Sequence, residues 1–324
     1  MVEVARTDGP RYFLITSIGR TATYWLAWSL NRHPDILCSH GGNFPPSLVT
    51  YDKDGRAESE LNRIGDPIRS IYDIPHACAS GSDVSGTGAR SQSAFHEKTI
   101  GEFLDAHRAF GEYAAIGNVH GYSLGNFLNR FRAGEVNRNI AVVNLIRHPV
   151  DQILSFYRRH KFDAERSDSY KSSRFKIVER YVEIAAAVQQ VFGIDLQDHD
   201  TLIFLSSVFD VAGMQNDILV ENVLHLRYET LTVSRPAFEA LLKLLIGDAD
   251  IALSESYLET VYAQGPMNYS SARKQAAEDA FDALADWQKF AISVSIDQEA
   301  ARRYLAHGYD LAFLLDYSAK TKPT

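Results

Sequence analysis

The chain has 324 residues, 45% of them hydrophobic and 23% charged, which is the range of a globular protein able to bury a core. Its formal net charge of −8 argues against a general nucleic-acid binder, whose footprint is basic, and weakens the case for a polyanionic substrate. Cys38 and Cys78 are its two cysteines, which excludes a disulfide framework or a CxxC metal pattern and makes a cytoplasmic setting the expectation. The segment Met1–Arg6 lacks the apolar core of a signal peptide, and no later run reads as long enough to span a bilayer.

In chain order, Tyr12–Ile15 is a short aromatic and β-branched run that predicts a buried strand. It breaks at Ser17-Ile18-Gly19-Arg20-Thr21-Ala22-Thr23 and restarts with Trp25, Leu26, Trp28 and Leu30, spaced for one face of a helix. A strand–loop–helix of this kind aims backbone N–H groups and the positive end of a helix dipole at one point, which suits an anion. Thr21, Thr23 and Tyr24 add hydroxyl donors, and Arg20 adds a permanent charge with a planar donor fork.

A short strand follows near Ile36–Cys38. From Gly41 to about Ser93 the pattern loosens, through Pro45-Pro46 and the glycine-bearing run Gly81–Gly88, and reads as an irregular insertion or lid. No GK[ST] follows those glycines, so they read as a loop rather than a phosphate cradle. Helical spacing covers Glu97–Phe110, and a strand covers Tyr113–Val119, followed by His120. Ile140–Ile146 is the clearest strand; its near-continuous apolarity suits a central parallel position. It ends at Arg147-His148-Pro149, with Pro149 where a first-turn helix proline belongs. A long helix over Phe175–Phe192, a strand over Val223–Tyr228 and a helix over Ala237–Ile246 with Ser234 as N-cap complete the pattern. Alternating strands and helices predict a three-layer α/β fold with a mainly parallel central sheet flanked by helices. Ligands of such sheets sit beyond the carboxyl ends of the strands, where Arg20 and Arg147 both fall.

Two segments carry a specific resemblance. Arg20-Thr21-Ala22-Thr23-Tyr24-Trp25-Leu26 resembles the [KR]SGTTWL loop of sulfotransferases that use 3′-phosphoadenosine-5′-phosphosulfate (PAPS). Leu145 to Tyr157, with Arg147, Pro149, Asp151 and Ser155, is similar to that family's RxPxDxxxSxY segment. Val223–Leu231 resembles a strand ending in RYEDL, His307-Gly308-Tyr309-Asp310 an LGYD ending, and Ser270-Ser271-Ala272-Arg273-Lys274 a late RKG-type loop. The resemblance implies a P-loop-NTPase-like fold in one domain over 1–317, with an acceptor-side insertion at about 41–95 and a flexible tail at 318–324. It further implies that Gly19 to Trp25 hold the 5′-phosphosulfate end of PAPS, and that Arg147 and Ser155 hold the 3′-phosphate. Ser271, Arg273 and Lys274 would close on that phosphate, and Tyr228 would lie near the adenine. Trp25 reads either as an adenine platform or as a core tryptophan.

The implied reaction is in-line transfer of a sulfuryl group from PAPS to a small-molecule, lipid or glycan acceptor, releasing adenosine 3′,5′-bisphosphate (PAP) without a metal. Arg20 would neutralise the bridging oxygen as the S–O bond lengthens, a donor whose removal costs about 3–4 kcal/mol in barrier. His120 stands where the family's acceptor base lies, with His40 as the alternative base. Two departures stand out: Ala22 replaces a glycine, and Asn118 replaces a lysine. Phe44, Pro45, Pro46, Tyr51, Tyr72 and Phe95 favour an apolar or aromatic acceptor. The basic runs Arg158–Lys161 and Lys171–Lys176 read either as a cofactor-attracting patch or as a solvated helix surface. A nucleotide kinase and a non-catalytic nucleotide-binding relative are the competing readings, and nothing in the pattern points to an oligomeric state.

Overall fold

The structure is a computed structural model that describes residues 9–17, 21–40, 48–51, 57–60, 104–105, 108, 112–119, 140–220, 223–247, 255–264 and 276–321. Contacts divide the chain into two compact units, Met1–Leu145 with Leu226–Tyr269, and Ile146–His225 with Ser270–Thr324.

The first unit is built on a five-stranded, mainly parallel sheet. Its strands are β1 (Arg11–Ser17), β2 (Ile36–His40), β5 (Ala115–Val119), β6 (Ile140–Ile146) and β7 (Leu224–Arg227), in the spatial order β2-β5-β1-β6-β7. A separate antiparallel hairpin, β3 (Leu48–Tyr51) with β4 (Ala57–Glu60), lies inside the stretch read as irregular. The parallel pairs are β1 with β5, β1 with β6, and β2 with β5. From β1 the chain crosses toward β2, and from β6 toward β7, so connections leave these two neighbours in opposite directions. Sheets with such a switch take ligands outside the carboxyl ends of those strands.

Strand alternation splits the sheet's chemistry between its faces. One face carries Phe13, Ile15, Cys38, Val119, Val143 and Leu145, and they pack on α1 (Thr23–Asn31) and on Phe238, Leu241 and Leu245. The register pairs Ser39 with Asn118 and Thr16 with Asn144, so these four share the other face. All four are buried, and Asn118 Nδ2 donates to Ser39 Oγ at 2.7 Å while Thr16 Oγ1 donates to Asn144 Oδ1 at 3.3 Å. Gly117 is required where β5 passes β1: a Cβ there would meet the Phe13 ring at 2.3 Å.

The spacing of α1 predicts one apolar face, but the helix is buried nearly all round, including Ser29 and Asn31. Asn31 Oδ1 accepts from the Cys38 N–H at 3.3 Å, which lets a polar side chain sit in this core. Helices α6 (Tyr228–Leu231), α7 (Arg235–Ile246) and α8 (Glu255–Gln264) complete the described part of this unit. Ser234 caps α7 as its position predicts, with Oγ accepting from the Ala237 N–H.

The second unit is mainly helical in its described residues. Its elements are α2 (Pro149–Ala164), α3 (Asp168–Val178), α4 (Val182–Phe192), α5 (His199–Ala212), α9 (Ala277–Asp282), α10 (Asp286–Ser295), α11 (Gln298–Ala306) and α12 (Ala312–Thr321). The helix expected over Phe175–Phe192 begins earlier and tightens into a 3₁₀ turn at Glu179–Tyr181 between α3 and α4. The core runs through α5, where Ile203, Phe204, Leu205, Val208 and Phe209 are all buried. The stretch His199–Leu219 is long and apolar enough to cross a membrane by length and composition, but its most apolar window is mostly buried inside the protein.

Candidate active site

The turn after β1 delivers the chain into α1 through Ala22, which has φ 53° and ψ 30°. It is the one non-glycine residue with positive φ among the described residues. Left-handed backbone costs an L-residue roughly 1–2 kcal/mol, so this turn adopts a glycine conformation against the preference of its side chain. A left-handed residue followed by a helical one is the backbone pattern that turns successive N–H groups toward one concavity. The Ala22 carbonyl accepts the Leu26 N–H at 2.9 Å, which starts the helix. Among the described residues no side chain caps that helix, and no acidic residue lies in its first turn. The positive end of its dipole suits an anion. Thr21 Oγ1 is buried and has no hydrogen-bond partner among the described residues.

The flank of this turn is formed by the last residue of β2. His40 Nε2 lies 3.1 Å from Thr23 Oγ1, and its ring meets the Tyr24 ring edge-on at 5.6 Å. Burial pushes the His40 imidazole down to about 4, so it is neutral at physiological pH. Trp25 is 2% exposed, packs against Phe238 and Tyr262, and donates its Nε1–H to the Val261 carbonyl at 3.2 Å. Its indole is therefore a core anchor, buried away from solvent. Asn118 uses its amide on Ser39, so the position expected to carry a lysine holds a neutral, internally bonded group.

The turn after β6 is built on other terms. His148 is the N-cap of α2: its Nδ1 accepts the Val150 N–H at 3.3 Å, and Pro149 removes one more N–H from the first turn. The His148 ring stacks on Phe313 and meets Tyr309 edge-on, while Tyr309 Oη donates to the Ile146 carbonyl at 3.1 Å. Arg147 immediately precedes this cap, and Ser155 is buried two turns into the helix. Tyr228 opens α6 directly after β7 and is 8% exposed.

Much of the basic surface that follows is neutralised locally. Arg159 pairs with Asp163 at 2.7 Å, Lys161 with Asp200 at 2.9 Å, Lys171 with Asp168 at 3.5 Å and Arg174 with Asp210 at 2.6 Å. His160 is buried, with Nδ1 against Ser207 Oγ at 3.0 Å and Nε2 against Arg174 at 3.3 Å. Because Ser207 donates onward to the Ile203 carbonyl, His160 is held as a structural link.

Gly19, Arg20, His120, Ser271, Arg273 and Lys274 lie outside the described residues, as do the acceptor-side aromatics Phe44, Tyr72 and Phe95. No group of three or more His, Cys, Asp or Glu side chains placed to hold a metal occurs among the described residues. Sequence reasoning missed the capping role of His148 and the Ser39–Asn118 pair. The first had a signal, since a side-chain acceptor directly before a proline marks a helix start; the second emerges only from strand register.

These features define a mainly parallel α/β protein whose first strand leads into a helix with the left-handed Ala22 as its N-cap. No family model and no curated protein matches the chain. Among solved structures, a sulfotransferase from Alicyclobacillus acidocaldarius aligns with 81% of this chain and 93% of its own, at 14% identity and a TM-score of 0.36. A likeness at that level carries no argument about activity, and the functional reading rests on this chain's own residues.

Proposed function

We propose that the protein is a PAPS-dependent sulfotransferase acting on a small-molecule, lipid or glycan acceptor in the cytoplasm. The observation that carries the reading is the left-handed Ala22 ahead of an uncapped helix, at the position where the resemblance requires a glycine. A side chain that resists this conformation has been accommodated rather than the conformation given up. The turn's converging N–H groups, with the Thr21 and Thr23 hydroxyls, suit the 5′-phosphosulfate. Arg147 and Ser155 hold the 3′-phosphate, joined by Ser271, Arg273 and Lys274, and Tyr228 lies toward the adenine.

In the reaction, an acceptor oxygen attacks sulfur in line, its proton passes to His120, and the bridging S–O bond breaks to release PAP. Arg20 stabilises the charge that grows on the bridging oxygen. His120 takes the base role over His40 on grounds of basicity: an imidazole held near 4 has little proton affinity to offer near neutral pH. His40 instead orients the Thr23 hydroxyl, which it contacts directly.

Calorimetric titration with PAP and with ATP, with and without Mg²⁺, separates this reading from a nucleotide kinase; a magnesium-dependent preference for ATP overturns it. Incubation with labelled PAPS and a panel of phenols, alcohols and glycans then tests turnover. Arg20→Ala is expected to lower kcat by about 100- to 1000-fold. PAP binding with no transfer to any acceptor, in the wild type as in His120→Ala, assigns the chain to a non-catalytic nucleotide-binding role.

A further inference from the structure

We infer, on the nucleotide reading above, that His40 is a positioning residue: its imidazole turns the Thr23 hydroxyl proton toward the anionic 5′ group and so makes Thr23 a donor in that subsite.

Three observations carry it. The first is placement. Thr23 is the first residue of α1, directly after the left-handed Ala22, and side chains lean toward the N-terminus of their helix. Its hydroxyl is therefore carried at the mouth of the turn. In the same turn Thr21 Oγ1 is buried, at 1% exposure, with no hydrogen-bond partner among the described residues. A buried hydroxyl left in that state is costly, and a ligand that accepts from it removes the cost. The second observation is the partner of Thr23. His40 Nε2 lies 3.1 Å from Thr23 Oγ1, and no other partner of that hydroxyl occurs among the described residues. The Tyr24 ring meets the imidazole edge-on at 5.6 Å, so His40 touches two consecutive residues of the helix start. The third is the proton count. Burial keeps His40 neutral, so its ring carries one N–H. Nδ1 makes no hydrogen bond among the described residues, and so does not dictate where that proton sits.

The two tautomers give Thr23 opposite characters. With the proton on Nδ1, Nε2 accepts the Thr23 O–H, and the hydroxyl shows the turn only lone pairs, which repel an anion. With the proton on Nε2, the ring donates to Oγ1 and releases the Thr23 proton to point at the ligand. An anion in the turn selects the second state, because it gains a hydrogen bond there and meets repulsion in the first. Occupancy fixes the tautomer, and the tautomer fixes the donor.

The test reads the ring-nitrogen chemical shifts of His40 in wild-type protein carrying nitrogen-15-labelled histidine, near neutral pH, with and without PAP. The bound state is expected to hold its proton on Nε2, and a bound state protonated on Nδ1 overturns the proposal. Affinities for PAP and for adenosine 3′-phosphate, which lacks the 5′-phosphate, are measured beside it in variants of both residues. Thr23→Val is expected to weaken PAP about tenfold and His40→Leu about three- to tenfold, with adenosine 3′-phosphate within about twofold of wild type in each. Thr23→Ser and His40→Gln, whose amide N–H can replace that of Nε2, retain most of the affinity. The double variant His40→Leu/Thr23→Val binds PAP no worse than Thr23→Val, since His40 acts through that hydroxyl. Unchanged PAP binding in His40→Leu, additive losses, or equal losses for both ligands overturn the role of His40 while the nucleotide reading stands. A folded wild type that binds no PAP overturns both.

Discussion

Two strand-to-helix turns, after β1 and after β6, meet the same problem with opposite chemistry. Each must end a buried parallel strand and start a helix whose first N–H groups have no partner within it. After β6 the chain closes that terminus itself: His148 accepts an N–H, Pro149 removes one and Asp151 places a negative charge in the first turn. After β1 none of this happens among the described residues. The helix starts uncapped from a strained Ala22, with no acidic side chain in its first turn. A closed terminus leaves anion recognition to side chains, which in the proposed function are Arg147 and Ser155. An open one offers the backbone itself.

The contrast can be broken most severely at Arg147. Arg147→Ala is expected to weaken PAP about 10- to 100-fold by calorimetry, since charge-assisted bonds contribute about 1.5–3 kcal/mol each, with little change in the unfolding midpoint. An unchanged affinity would place recognition elsewhere than in the side chains of the closed turn.

The next effect concerns His40 beside the open turn. Its folded pKa of about 4 lies below the value of about 6.5 for a free imidazole, so the unfolded chain takes up a proton first. The contribution is fully present above pH 6.5 and is lost as pH falls through the window down to 4. Between pH 7 and 5 the loss is about 2 kcal/mol. His225 and His307, also lowered by burial, steepen the same slope. Urea unfolding at several pH values should give a shallower dependence in His40→Gln than in wild type; parallel curves would contradict the buried, neutral imidazole.

Opening the closed turn should have a smaller effect. His148→Ala removes a cap and a stacked ring, and is expected to cost about 1–2 kcal/mol in chemical denaturation. Relaxing the open turn is the mildest change. Ala22→Gly exchanges left-handed strain for unfolded-state entropy and is expected to stabilise by up to about 1 kcal/mol. A destabilised Ala22→Gly would mean that the alanine methyl contributes packing that outweighs its strain.

The sequence was most legible where pattern and punctuation agreed. Ile140–Ile146 matches β6 at both ends, because an apolar run stopped by Arg-His-Pro leaves few alternatives. Ser234 before Arg235-Pro236 marked its helix for the same reason. Helix α5 was not legible: its apolar residues fall on every side, and a helix buried all round leaves no period to read. Nor was the 3₁₀ turn at Glu179–Tyr181, which contains neither glycine nor proline. At the candidate site, residue types located the turns but not the directions of their side chains. Trp25 illustrates the limit, since its place among Phe238, Tyr262 and the Val261 carbonyl depends on helices more than 200 positions away in the chain. Ala22 shows the reverse, where a sequence conflict marked in advance the spot at which the backbone is strained.

The ion pairs along α2 and α3 have a consequence for how fast an anion can arrive. Arg159, Lys161, Lys171 and Arg174 each sit beside a carboxylate, so from a distance they act as short dipoles rather than as a field of positive charge. Fields of that kind fade within a few ångströms, while the chain's overall charge of −8 extends about a Debye length into solution, roughly 8 Å at physiological ionic strength. On the proposed function, a nucleotide would approach against a weak repulsion and be captured at close range. Added salt should accelerate its association while weakening the complex once formed.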